Sequence, residues 1–468
     1  MVSQEPHAKS LQFVDAIGHR DGLEVLREPV RVTAWKPDIA RLLPVYVADR
    51  YEGVEARTYL EISDAEIEDY LARNVAAVRA ICEVQPPDIA LANHLVMGPV
   101  VLARALGDAV PYAVKIHGSA LEYVVKRDPE RFLPYAREGL AKARTVLVGS
   151  RHTAESLWEA MGDPELPRRT RLGPPGVDIA EFRPMPDAAA RVAALADELE
   201  HEPPSAVESA FSRDARAAAD ALRMLRPEDR HVVFVGKLIV SKGVDLLVAA
   251  WPLVLARVPA ARLVIVGFGA YRGALERLLA ALAAGDVAAV RALAEEGRAA
   301  EGGAREPLRH LLAFLDTIDD AYVEAARSLP DRVVLTGRLE HAELAPLLAM
   351  AEAQVVPSTF PEAFGMVAAE AAACGALPVS SDHSGLAEVT RALAQAVPDA
   401  ARPWLGFPTG DVRGLADRLV AWLQAPADVR EATRAALVQV AHERYSWEGV
   451  ANGVIAAAQG RLDDLPEP

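Results

Sequence analysis

The sequence predicts an α/β protein of two doubly wound parallel-sheet (Rossmann-like) domains facing across a cleft, with helical insertions. Three observations predict it. A length of 468 residues exceeds what one hydrophobic core usually serves, so two domains of ordinary size follow. Apolar residues at 51% and charged residues at 25% are the balance of a packed globular chain, able to fill both cores. Short apolar runs that end in turn residues alternate with longer helical patterns, the rhythm of parallel strands covered by helices on both faces, and the rhythm occurs twice.

In the first half the expected strands are residues 30–35, 88–94, 112–118 and 145–150, with a helix over 64–84 between the first two. In the second half they are 231–236, 262–267, 332–337, 353–357 and 376–380. Pro174-Pro175-Gly176-Val177-Asp178 marks the join, because consecutive prolines and a glycine continue neither a helix nor a central strand. The expected layout is therefore an N-terminal acceptor-side domain over 1–184 and a helical linker over 185–230. A donor domain over 231–425 carries a helical insertion near 285–329, and over 426–468 helices pack back toward the first domain and end in a disordered acidic tail.

The charge balance excludes some partners. A net charge of −16 opposes phosphate-backbone binding, so no nucleic acid is expected and membrane contact is at most weak and peripheral. The run Arg168, Arg169 and Arg171 reads as a solvated loop. Cys82 and Cys374 are the only cysteines, too few for a disulfide framework or a cysteine zinc site, which suits a reducing cytoplasm. No stretch approaches bilayer-spanning length and residues 1–10 lack a signal-peptide pattern.

The sharpest motif runs from Pro357 to Glu370 and on to Gly375. An apolar strand ends in Pro357 and Ser358, a loop carries Glu362, and a helix is expected to start near Phe364 and stop at Gly375. Free backbone N–H groups around Phe364, Gly365, Met366 and Val367 would make an anion site at a strand end. Glu362 from the loop and Glu370 from the helix could accept hydrogen bonds from sugar hydroxyls. The competing reading makes Glu362 a helix cap and Glu370 a solvated side chain. A second motif, Gly236-Lys237 through Ser241-Lys242-Gly243, puts two of the chain's few lysines between a strand and a helix. There they could neutralise a departing diphosphate, or be two surface lysines on a loop.

With these motifs in view, the chain resembles family 4 of the retaining glycosyltransferases, which have the two-domain GT-B fold. The likeness spans roughly residues 88–459 outside the insertions. Pro-Pro-Gly-Val-Asp at 174–178, the Lys237–Lys242 loop, the Glu362 to Glu370 spacing and Ser384-Gly385-Leu386-Ala387-Glu388 occur in the family's order. The resemblance implies that Lys237 and Lys242 hold the donor diphosphate, with Lys237 standing where the family usually has Arg, so that a fork of donors becomes a point charge. It implies that Glu362 contacts the donor sugar, Glu370 the nucleotide ribose, and the amides near Phe364, Gly365 and Met366 the sugar or phosphate. Gly236 and Glu388 join the donor-binding set. His117, in Lys115-Ile116-His117-Gly118-Ser119, matches the family's cleft histidine beside the donor sugar; on its own it reads as a structural strand-end residue. Such enzymes retain the anomeric configuration without a metal or other cofactor, and no Asp-x-Asp loop supplies a metal site. The donor is a nucleotide sugar and the acceptor an unspecified sugar, lipid or small molecule.

One family part is missing. Members open with an apolar strand, a Gly-rich loop and a helix, whereas residues 1–7 look like the tail of a second strand and Gly18 and Gly22 lie in a polar segment. The expectation is a chain shortened by on the order of 30 residues, the size of a βα unit, with catalysis impaired if residue 1 is the true start. Three other readings stay open: a non-enzymatic nucleotide-sugar binding protein, an epimerase on the same fold, and a dinucleotide-dependent dehydrogenase. The last is weakest, because Gly267-Phe268-Gly269-Ala270-Tyr271-Arg272-Gly273 misses the Gly-x-Gly-x-x-Gly spacing by one residue. No phosphate-binding P-loop motif is present.

Overall fold

The computed structural model describes residues 1–3, 8–19, 22–46, 55–202 and 213–468. The expectation for residues 4–7 falls outside the described residues, as does the middle of the linker. The chain divides into two compact units, Met1–Pro174 with Ala451–Pro468, and Pro175–Val450. The division falls inside the Pro-Pro-Gly-Val-Asp motif.

In the first unit, β1 (Ala16–His19) pairs antiparallel with β2 (Gly22–Val25) and parallel with β3 (Thr33–Trp35). Val2 makes a further parallel bridge to Trp35. Gly18 is required where β1 crosses β3, since a Cβ there would stand 2.3 Å from the Trp35 ring. The strands β4 (Leu42–Val45) and β5 (Glu55–Thr58) form a parallel pair. The main sheet is parallel, in the order β6 (Ala90–Asn93), β7 (Tyr112–Ile116), β8 (Thr145–Val148) and β9 (Thr170–Leu172). The helix Asp64–Val84 opens with a capping box in which Ser63 and Glu66 satisfy each other's backbone N–H, and it buries Ile67, Leu71, Val75 and Val78. Beside β6 lies a cavity of about 880 Å³ lined by Trp35, Val78, Cys82, Ile89 and Leu91 among others.

The acidic tail departs from expectation. Rather than being unstructured, it packs on the first unit's sheet: Ala456, Ala457, Ala458 and Leu465 share a core with Ala113 and Leu147. The Leu172 N–H donates to Pro466 O at 2.8 Å, and Arg171 Nε to Leu462 O at 3.1 Å. Apolar burial and capture of backbone carbonyls outweigh the tail's charge. Arg171 is likewise buried instead of solvated, although Arg168 beside it is exposed.

The second unit holds a six-stranded sheet. Its strands are β10 (Arg230–Val235), β11 (Ala261–Val266), β12 (Val333–Gly337), β13 (Ala353–Val356), β14 (Leu377–Ser381) and β15 (Gly406–Phe407). All neighbours are parallel and the order is β12-β11-β10-β13-β14-β15. The chain thus works outward from β10 in one direction, then returns to lay β13 on the other side of β10. In an open α/β sheet the crevice at such a reversal, beyond the carboxyl ends of the two strands, is where ligands bind. The helix Val244–Leu255 is buried almost all round, as its nearly unbroken apolar sequence requires; the Tyr322 hydroxyl of the insertion donates to its Ala249 O at 2.9 Å. The insertion between β11 and β12 is helical, with segments Val287–Glu296, Arg309–Leu315 and Asp320–Ala326. Among the described residues no helix is long and apolar enough to cross a membrane.

Candidate functional site

Two loops meet at the reversal point. The loop after β10 begins at Gly236 and Lys237, passes through a short helical turn at Val240–Lys242 and enters the helix at Gly243. Gly243 has φ +66° and a Cβ on it would lie 2.0 Å from Pro357 O. A side chain is therefore excluded there twice over, by conformation and by contact with the other loop. That other loop follows β13 and runs from Pro357 to Gly365.

Hydrogen bonds stitch the loops together. Lys242 Nζ forms an ion pair with Glu362 Oε1. Ser358, which is buried, has its hydroxyl 3.0 Å from each of Ser241 O, Phe360 O and Glu362 Oε1, and the Thr359 N–H donates to Ser241 O at 2.9 Å. A third loop, after β14, locks the second. The Glu362 N–H donates to Ser384 Oγ at 2.8 Å and the Gly385 N–H to Glu362 O at 2.9 Å, while His383 Nε2 lies 2.7 Å from Ser358 O. Glu362 is thus fixed through both its backbone and its carboxylate.

The helix Met366–Cys374 starts at Gly365, whose φ of +130° is unsuited to a side chain. Its first turn leaves backbone N–H groups without intrahelical partners, and its positive dipole end faces the same crevice. Phe364 is buried with its ring against Tyr445, centroids 5.5 Å apart, and this anchors the turn; Met366 and Val367 are half-buried. Glu370 is buried one turn into the helix, and its Oε1 lies 2.9 Å from His341 Nε2. His341 opens the helix His341–Met350 that follows β12, and its other ring neighbour is Phe182, at 4.7 Å between centroids.

The structure therefore brings Gly236, Lys242, Glu362, Phe364, Gly365, Met366, Val367 and Glu370 to the carboxyl ends of β10 and β13. Lys237 is exposed just past β10, and Glu388 is half-buried in the helix Ser384–Ala394. His117 belongs to the first unit, past the end of β7. Its Nε2 lies 2.8 Å from Asn93 Oδ1, and its ring is 4.9 Å from that of His94. Loss of hydration, with His94 and Lys115 nearby, lowers the His117 pKa to about 4, and burial does the same for His94. Both rings are neutral at pH 7.

Sequence reasoning missed Ser358, Ser384, His341, His383 and His94. Ser358 and Ser384 stand inside the quoted motifs, each directly after a strand or at a helix start, and a small hydroxyl residue there is a signal that could have been read. His341 has a weaker one: a histidine in the first turn of a helix that follows a strand ending in Gly337.

The insertion also reaches this site. Glu301 accepts from the Val240 N–H at 2.8 Å, and it is held from its far side by Arg298. Beside this bond is a pocket of about 240 Å³ lined by Ser241, Asp245, Arg298, Thr359 and Phe360 among others. Asp245 is fully enclosed, and burial raises its carboxyl pKa to about 7. Among the described residues no group of three or more His, Cys, Asp or Glu side chains is placed to share a metal ion.

Two family models, both described as glycosyl transferases group 1, match residues 229–299 and 323–437. A D-inositol 3-phosphate glycosyltransferase of Segniliparus rotundus is 28% identical over 297 residues, 63% of this chain and 48% of that protein. A glycogen synthase of Mycobacterium tuberculosis is 36% identical over 134 residues, 28% of this chain and 30% of that one. The chain spans about half the length, or less, of these curated relatives. Among solved structures, the sucrose-phosphate synthase of Thermosynechococcus elongatus superposes with a TM-score of 0.52 at 21% identity, covering 90% of this chain and 86% of that one. Anabaena Alr3699/HepE in complex with UDP-glucose gives 0.53 at 16%, covering 91% and 92%. At such identities the likeness establishes the fold, GT-B, and nothing finer.

Proposed function

We propose that this protein, whose second unit matches two models of the group 1 glycosyl transferases and whose chain is similar in fold to GT-B structures, is a family 4 enzyme that transfers a sugar from a nucleotide diphosphate donor to an acceptor hydroxyl, with retention and without a metal ion. The observation that carries the reading is the Lys242–Glu362 pair, pinned by Ser358 at the point where the sheet reverses. A cation, a carboxylate and free helix-end amides there suit a sugar joined to a diphosphate. The HepE neighbour, solved with UDP-glucose, agrees with a nucleotide sugar as ligand.

In this reading Lys242 and Lys237 stabilise the negative charge that gathers on the diphosphate as the bond to the anomeric carbon breaks. The amides of Gly365 and Met366 add the helix-end field. Glu362 accepts hydrogen bonds from donor sugar hydroxyls and Glu370 from the ribose. The leaving phosphate oxygen takes the proton of the incoming acceptor hydroxyl, which puts acceptor and leaving group on one face and so retains configuration. For His117 the support is its motif and its neutral ring, able to donate to or accept from a sugar hydroxyl. Two unpaired cysteines suit a cytoplasmic setting.

The test is calorimetric titration of UDP-, GDP- and ADP-sugars into the wild type and Lys242→Ala, followed by NMR of the anomeric configuration of any product. Binding of one donor that Lys242→Ala weakens by about tenfold or more supports the proposal. If none of them binds the wild type, the proposal fails.

A further inference from the structure

His341 occupies an unusual position beside Glu370. The carboxylate is almost wholly enclosed, its side chain 6% exposed, whereas the imidazole that meets it is 60% exposed. The bond, Nε2 to Oε1 at 2.9 Å, thus joins an interior acid to a ring that stands in solvent at the end of β12, on the carboxyl edge that also carries the Lys242 and Glu362 loops. Phe182 packs on the ring and limits its rotation. One carboxylate oxygen is engaged by the histidine, and among the described residues none hydrogen-bonds Oε2, which can meet a ligand. From the structure and the proposed role of Glu370 as the ribose contact, on which this inference rests, we propose that His341 is a positioning residue that aims Glu370 at the vicinal hydroxyls of the donor ribose and thereby sets the preference for ribose over deoxyribose.

The physical basis is geometric. A glutamate has three rotatable bonds, and discrimination between a hydroxyl and a hydrogen requires the acceptor oxygen to be held in place before the ligand arrives. A second hydrogen bond to the same carboxylate supplies that restraint. The charge environment reinforces it. The groups that face the imidazole are Glu370 from the helix Met366–Cys374 and, more distantly, Asp178 at the end of the join motif and Glu181 just after it. Its own element adds Glu340, paired with Arg338, and Glu343, paired with Arg213. Acidic neighbours, Glu370 first, raise the pKa of His341 above its ordinary value. The charge-assisted form of the clamp is therefore present below that raised pKa and is lost as pH rises through it.

The experiment measures the affinity of the full chain for UDP-, GDP- and ADP-sugars and their 2′-deoxy counterparts from pH 6 to pH 9. These diesters carry no phosphate that titrates in the range. In the wild type, ribose should be preferred and affinity should fall with rising pH. His341→Ala should narrow the ribose preference by about tenfold, the worth of one oriented charge-assisted hydrogen bond, and flatten the pH profile. His341→Gln, which keeps a donor without a charge, should restore the preference but not the profile. Glu370→Ala is the control that separates the two layers. If Glu370→Ala leaves affinity for every probe unchanged, or no probe binds the wild type, the ribose assignment itself is wrong. If Glu370→Ala weakens binding while His341→Ala alters neither preference nor profile, the assignment stands and the positioning role is overturned. Loss of folding in His341→Ala, read from its thermal melt, leaves His341→Gln to decide: a flat profile supports the role, and a wild-type profile refutes it.

Discussion

Lys242 and Glu362 form an ion pair that joins the loop after β10 to the loop after β13, across the point where the sheet changes direction. The two charges hold each other in the arrangement that a sugar diphosphate would need. Lys242→Ala should therefore weaken donor affinity by about tenfold to a hundredfold, the range for losing a charge-assisted contact. Calorimetric titration of the donor checks this, and an unchanged Kd would refute it.

Ser358 is enclosed and shares its hydroxyl among Ser241, Phe360 and Glu362. Its removal takes the shared hydroxyl from this cluster, although Ser241 O keeps the Thr359 N–H and Glu362 keeps Lys242. Ser358→Ala should lower stability by about 1–3 kcal/mol in urea unfolding, and should depress kcat more than a distant substitution of equal destabilisation.

Glycines in this unit are not equivalent. Gly243→Ala forces a side chain against Pro357 O at a positive φ, so stability should fall by more than about 1 kcal/mol and donor binding should fall with it. Gly273, the second residue of the helix Arg272–Ala284 with nothing within 4 Å of a Cβ, should behave in the opposite way. Gly273→Ala should stabilise by about 0.5–1 kcal/mol. Thermal melts of the two variants should move in opposite directions.

The insertion holds the Lys242 loop by a hydrogen bond from the Val240 N–H to Glu301. Glu301→Ala should raise the donor KM by roughly threefold to tenfold, the worth of one such bond, with little change in the pH dependence of kcat. Steady-state kinetics with saturating acceptor would show it.

In the first unit the pH response has a definite sign. Burial lowers the His94 pKa from 6.5 to about 4 in the folded chain, so the unfolded chain binds more protons between those values. Stability should then rise with pH across the window of about 4 to 6.5 and be lost on acidification through it. His94→Gln should reduce the slope of this part of a urea-midpoint titration, leaving the share that His117 contributes.

All nine strands expected from the apolar runs are present, and the helix Asp64–Val84 has the boundaries its capping residues imply. Strands such as β7, β8, β11 and β13 were legible because burial on both faces writes itself as continuous apolar sequence. The strands β1, β2, β4, β5, β9 and β15 were not: β2 is exposed throughout, and an exposed four-residue strand carries no apolar run. At the site, Lys242, Glu362 and Glu370 could be read because charge between a strand and a helix is conspicuous. The partner of Glu370 could not, since His341 comes from another strand's loop, 29 positions earlier, and only the sheet order makes them neighbours. The tail misled because its charges dominate the composition, whereas Leu465 and the backbone carbonyls decide where it goes.

The return of Ala451–Pro468 to the first unit has a consequence for biogenesis. Translation delivers residues 175–450 in between, so the second unit emerges complete while the first still lacks the segment that covers Ala113 and Leu147. On the ribosome the earlier-made half is the later one to close, and until residues 451–468 follow, its uncovered sheet face is a surface that chaperones would recognise.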